Sequence, residues 1–149
     1  MGKRDERVFS FEFFPPRTPE GREKLRSTWQ QLARLRPRFF SCTYGAGGST
    51  REGTLETVLD IRAAGHEAAP HISCVASTRA DVWEQLERYR SHGIRHVVAL
   101  RGDLPSGLAA SGEFRYASEL VAFIREKTGD WFHVEVACYP EYHPQTRDA

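Results

Sequence analysis

The chain has 149 residues, with 21 Lys+Arg against 20 Asp+Glu and a formal net charge of +1. Its 40% apolar and 28% charged content is ordinary for one globular domain able to bury a core, and excludes a disordered chain. The charge balance argues against a phosphate-backbone binder, so no nucleic-acid partner is expected. No run approaches the roughly 18 apolar residues of a membrane helix. The charged start, MGKRDERVFS, lacks a signal-peptide apolar core, so a cytoplasmic location is expected. Cys42, Cys74 and Cys138 are odd in number and far apart, which suits neither a disulfide framework nor a CxxC zinc site.

In chain order, strand-like runs at Val8–Phe14, Phe39–Tyr44, Ala68–Val75, His96–Leu100 and Phe132–Tyr139 alternate with four amphipathic stretches. The first stretch has Thr18 as N-cap, Pro19 behind it, and Leu25, Trp29, Leu32 and Ala33 on one face. The second carries Leu55, Val58, Leu59 and Arg62 and stops near Gly65. The third opens on Thr78 with Asp81 in a capping-box position, stripes Val82, Leu86 and Tyr89, and ends at Gly93. The fourth carries Ala117, Leu120, Val121 and Ile124 and ends near Gly129.

Strand–helix–strand repetition predicts a parallel α/β sheet. A doubly wound sheet needs strands apolar on both faces. Here Ser10 and Glu12 alternate with Phe9, Phe11 and Phe13. Ser41 and Thr43 alternate with Phe40 and Cys42, and His71 and Ser73 with Ile72 and Cys74. Glu135, Ala137 and Tyr139 alternate with Val134, Val136 and Cys138. One apolar face and one polar or small face, rich in functional groups toward the strand C-termini, is how a (β/α)8 barrel is built. The steps Glu12 to Thr43, Thr43 to His71 and His71 to Arg101 are 31, 28 and 30 residues. Eight such units make roughly 240 residues, a barrel's length. The chain is therefore read as five strands and four helices of a partial TIM barrel: residues 1–149 form the N-terminal part of one domain of a longer protein.

Glu12 sits between Phe11 and Phe13. Apolar neighbours would keep it protonated, as a general acid requires; a strand-end Glu reaching solvent or an Arg is the equal alternative. Tyr44-Gly-Ala-Gly-Gly-Ser-Thr50 begins like a dinucleotide fingerprint, but Thr50 replaces the third glycine, so a tight turn is the better reading. In Arg101-Gly102-Asp103, Arg can bind a carbonyl or phosphate, Gly allows close approach, and Asp can accept bonds from a heterocycle; an Arg–Asp brace is the bland alternative. His92 and His96 are four apart, but Gly93 breaks the helix between them. No His pairs with a carboxylate at ligand spacing, and no metal is expected. His71 and His143 lie at strand C-terminal ends, suited equally to packing and ligand contact. Each Cys falls on an apolar face and is expected in the core. Trp29 and Trp83 are expected to pack helices on the sheet.

The segments FSFEFFPPR (Phe9–Arg17), TYGA (Thr43–Ala46), AAPHISC (Ala68–Cys74), GIRHVVALRGD (Gly93–Asp103), YAS (Tyr116–Ser118) and ACYPEYHP (Ala137–Pro144) run in one order across nearly the whole chain. With them the chain resembles the methylenetetrahydrofolate reductase family. The resemblance implies a (β/α)8 barrel holding FAD at its strand C-termini, with NADH or NADPH as hydride donor. The implied reaction is reduction of 5,10-methylenetetrahydrofolate to 5-methyltetrahydrofolate by ping-pong hydride transfer on one flavin face. It makes Glu12 the general acid that helps open the folate ring, and Asp103 the carboxylate near flavin and pterin. It places Thr43, His71, Arg101, Gly102, Asp103, Tyr116, Ala117, Tyr139 and His143 at FAD contacts. It also implies a homo-oligomeric parent, with further flavin and folate contacts on later strands, including a glutamine on the sixth. Two other readings stand beside it. One is an inactive half-barrel acting as a flavin-binding or self-assembling module. The other, a flavodoxin-like FMN domain, predicts a final helix and apolar residues where Ser10, Glu12 and Thr43 stand.

Overall fold

A computed structural model describes residues 7–44, 51–103, 112–139 and 141. Thr18 is an extended N-cap whose hydroxyl accepts from the Gly21 N–H at 3.0 Å, and Pro19 opens helix α1, Pro19–Ala33. The remaining elements follow in alternation: β1 (Ser10–Phe13) precedes α1, then β2 (Phe39–Cys42), α2 (Arg51–Ala63), β3 (Ala68–Ser73), α3 (Arg79–Ser91), β4 (His96–Leu100), α4 (Ala117–Thr128) and β5 (His133–Val136). β4 has the bounds of its sequence run, the other strands are shorter than theirs, and the fifth stops three residues before Tyr139.

All four pairings are parallel and the strand order is β1-β2-β3-β4-β5. Such sequential order has no switch point of the kind a doubly wound sheet requires. The helices lie on one face only. A single core cluster joins Trp29 of α1, Val58 and Ile61 of α2, Leu86 and Tyr89 of α3, and Leu120 and Ile124 of α4 to Phe13, Phe40, Cys42, Ile72, Val97 and Ala99 of the strands. Arg26 pairs with Asp60 at 2.8 Å and Arg22 with Glu56 between α1 and α2. Arg88 pairs with Glu52 at 2.5 Å between α3 and α2. These exposed pairs set neighbour orientation more than stability, since each is worth about 0–1 kcal/mol.

The opposite face carries Ser10 and Glu12 of β1, Phe39 and Ser41 of β2, Ala69 and His71 of β3, Val98 and Leu100 of β4, and His133 and Glu135 of β5. The register sets Glu12 beside Ser41 and His71 beside Val98. This face lines a cavity of about 610 Å³. β3, between β2 and β4, is buried throughout, including His71 and Ser73. One expectation needs correction. Cys138 is exposed rather than in the core, since it lies past the end of the outer strand β5, while Cys42 and Cys74 are buried as expected. Among the described residues, no helix is long and apolar enough to cross a membrane.

Candidate active site

The alternation of β1 decides where Glu12 points. Phe13 faces the helices and is buried; Glu12 turns the other way, onto the cavity face, with its side chain 58% exposed. The expected phenyl shielding is therefore absent, because residues one apart on a strand face opposite sides. The carboxylate has a different neighbour. Its Oε2 lies 3.3 Å from His71 Nε2, and the same nitrogen is 3.2 Å from Ser41 Oγ. Three adjacent strands thus present carboxylate, hydroxyl and imidazole at one point.

His71 is held from behind. The Tyr89 hydroxyl donates to its carbonyl at 3.4 Å, and Gln85 Nε2 donates to that hydroxyl at 2.6 Å. Burial pushes the imidazole below its ordinary value of 6.5, with the Glu12 charge acting in the opposite direction. At neutral pH the ring is uncharged and Nε2 can carry or accept a proton according to tautomer.

The other residues singled out in the sequence gather around the strand C-termini. Thr43 follows β2; its N–H donates to Phe13 O at 2.8 Å, and its carbonyl accepts from Thr54 Oγ1 at 2.7 Å. The carbonyl of Arg101, directly after β4, accepts from Ser73 Oγ at 2.9 Å and from the Val75 N–H at 2.7 Å. Gly102 has φ +85°, and a Cβ there would come within 2.1 Å of Ser73 Oγ. Its glycine is thus explained by the packing of Ser73 and Val75 beneath it. Asp103 is exposed beside it. Tyr116 is the N-cap of α4 and Ala117 the first helical residue. Tyrosine is a poor N-cap. Glu119 substitutes by accepting from the Arg115 N–H at 2.6 Å, leaving the Tyr116 ring 54% exposed. Tyr139 is exposed beyond β5. His143 and the glycine-rich turn from Gly45 to Thr50 lie outside the described residues.

Sequence reasoning passed over Ser41 as a site residue, although its parity matched Glu12 and the parallel order placed it next door. It also passed over a histidine–carboxylate cluster. The expectation that no histidine pairs with a carboxylate is overturned: His133 Nε2 is 2.9 Å and His96 Nε2 3.4 Å from Glu135 Oε1. The His133–Glu135 half of it is an i, i+2 pair on β5 that the sequence displays; only the approach of His96 from β4 depends on register.

Comparison with known proteins bears on this arrangement. The sequence model of the methylenetetrahydrofolate reductase family matches residues 2–149. The 5,10-methylenetetrahydrofolate reductase of Salmonella typhimurium is 44% identical over 142 residues, covering 94% of this chain and 46% of the relative. The Escherichia coli protein of the same name matches to the same extent. Methylenetetrahydrofolate reductase (NADH) 1 of Arabidopsis thaliana is 42% identical over 147 residues, covering 95% of this chain and 25% of the relative. The chain spans about half the length of the bacterial relatives it matches.

Proposed function

Since the chain belongs to the methylenetetrahydrofolate reductase family, we propose that it forms the first five strands of a single (β/α)8 barrel domain. The barrel would reduce 5,10-methylenetetrahydrofolate to 5-methyltetrahydrofolate, with NADH or NADPH as electron donor. The observation that carries this reading is the Glu12–His71 pair on the helix-free face, at the C-terminal side of a sequentially ordered parallel sheet. Catalytic groups of barrel enzymes stand at that end of the strands.

The residues present fit an FAD. The cavity volume falls within the range of cofactor pockets. Val98 and Leu100 offer an apolar floor, and the His71 imidazole, the Ser41 hydroxyl and the half-buried Arg101 supply polar contacts. Thr43, Gly102, Tyr116, Ala117, Tyr139 and His143 are the further contacts proposed. When bound, FAD supplies the hydride relay between nicotinamide and folate.

The chain's own residues handle the proton and the binding. In this reading Glu12 Oε2 carries the proton, and the neutral His71 imidazole, 3.3 Å away at Nε2, orients the carboxyl. A folate ring nitrogen lying over this face can receive that proton, which favours ring opening. The Ser41 hydroxyl meets the same nitrogen at 3.2 Å and helps fix the ring. Asp103, exposed just after β4, would grip the polar pterin edge and set a negative charge beside the ring system.

The test uses the longest gene product containing these residues. Glu12→Gln should abolish folate reduction while sparing reduction of the flavin by NAD(P)H, measured as separate half-reactions. Equal loss of both would make Glu12 structural.

A further inference from the structure

At the β4–β5 edge of the same helix-free face, the first residues of two strands, His96 and His133, meet Glu135, groups that the proposed reaction does not use. The parallel register sets His96 directly beside His133, and Glu135 lies two residues on, on the same face as His133. One ligand atom from each of the three residues lies within 4.8 Å of the others. Glu135 Oε1 sits between the two imidazoles, 2.9 Å from His133 Nε2 and 3.4 Å from His96 Nε2. The rings meet edge to face, 4.7 Å apart.

An independent observation points to a ligand. The His96 side chain is buried, and its Nε2 makes no well-directed hydrogen bond among the described residues, facing only the Glu135 carboxylate at 3.4 Å. A bound cation would give that buried nitrogen the directed partner it lacks. The other nitrogen, Nδ1, faces Glu67 Oε1 at 3.8 Å. A carboxylate hydrogen-bonded to the non-ligating nitrogen is the usual way a metal-binding imidazole is oriented, and the exposed Glu67 side chain needs to close by less than about 1 Å to make that bond. Phe39, 4.4 Å away between ring centroids, packs against the same ring and limits its movement.

We propose that His96, His133 and Glu135 form a binding site for a zinc-class divalent cation, bracing β4 to β5. Two imidazole nitrogens and one carboxylate oxygen are a known donor set for zinc, with a fourth position left to water. Tetrahedral bonds of about 2.0–2.1 Å put ligand atoms about 3.3 Å apart. Both separations to Glu135 already bracket that value, and the remaining His–His distance closes by turning the exposed His133 ring. The site lies at the β5 edge of the cavity face, two strands from His71.

The experiment titrates Zn²⁺ into the protein, freed of metal by a chelator, against a chromogenic zinc indicator. Co²⁺ is titrated in parallel as an absorbing substitute. The expected result is one ion per chain, with visible cobalt bands of a four- or five-coordinate site. His133→Ala and Glu135→Gln should weaken binding by about 100-fold, at least what loss of an outer partner costs. Both side chains are partly or largely exposed, so these variants should keep the parent's circular dichroism and metal-free urea midpoint. His92→Ala, an exposed histidine at the end of α3, should bind as the parent does. Absence of saturable binding by the folded parent would overturn the proposal. So would unchanged affinity in His133→Ala, or equal loss in His92→Ala.

Discussion

At the scale of single residues, the site turns on one imidazole whose environment works in two directions. Burial holds His71 below 6.5, and the Glu12 carboxylate pulls it back up. The unfolded chain takes up a proton at this residue near its ordinary value, while the folded chain resists until lower pH. The contribution of His71 to stability is therefore complete above pH 6.5 and is lost as pH falls through the folded value. Replacing Glu12 by Gln removes the opposing charge and leaves burial alone. His71 in Glu12→Gln should titrate at lower pH than in the parent, read from its ring Cε1–Hε1 resonance by NMR. A midpoint at equal or higher pH would mean that the carboxylate does not face the ring. The two buried thiols are inert by the same physics: desolvation pushes Cys42 up to about 12 and Cys74 to about 11. Neither is a nucleophile at neutral pH.

At the scale of elements, two helix starts differ in a way that separates folding from function. In α3, Thr78 Oγ1 accepts from the Asp81 N–H at 3.1 Å and Asp81 Oδ2 accepts from the Thr78 N–H at 2.9 Å, a complete capping box. In α4 the same position is Tyr116, and local rules broken without structural gain mark functional positions. Thr78→Ala should cost about 1 kcal/mol in urea unfolding. Tyr116→Ser, which introduces a good cap, should leave stability unchanged or raised while weakening flavin retention in the longer gene product. A stability loss in Tyr116→Ser would assign the ring to packing instead. The α3 box and the α1 cap were legible in the sequence because capping is local, decided within four residues. The face of each strand was legible because side chains alternate with period two. What the sequence withheld was lateral: that His71 meets both Glu12 and Ser41, and that His96 meets Glu135, depends on register across strands some 30 to 60 residues apart. Phe114 and Phe123 were missed for the same reason. They meet at 5.6 Å beneath Arg79, from a loop and a helix that share no local pattern.

For the whole molecule, the decisive feature is that the outermost strands among the described residues, β1 and β5, each have a neighbour on one side only. Apolar side chains cluster beside them: Val8, Phe9 and Phe14 (81% exposed) flank β1, and Val136 and Tyr139 end and follow β5. Unpaired parallel edges with adjacent exposed aromatics favour pairing with further strands. The cavity face has the same property, since Glu12 and Glu135 line it from opposite edges of an open sheet. A closed barrel would turn both edges inward and complete the wall around the Glu12–His71 pair. Residues 1–149 produced alone should therefore associate with rising concentration in sedimentation velocity and carry no visible flavin absorbance. The longest gene product containing them should carry flavin bands. Flavin bands in the short chain as well would mean that five strands suffice to hold FAD, and the flavin-binding module would become the better reading. Flavin in neither would remove FAD from the proposed function, while leaving the Glu12–His71 pair to be explained by another hydride carrier.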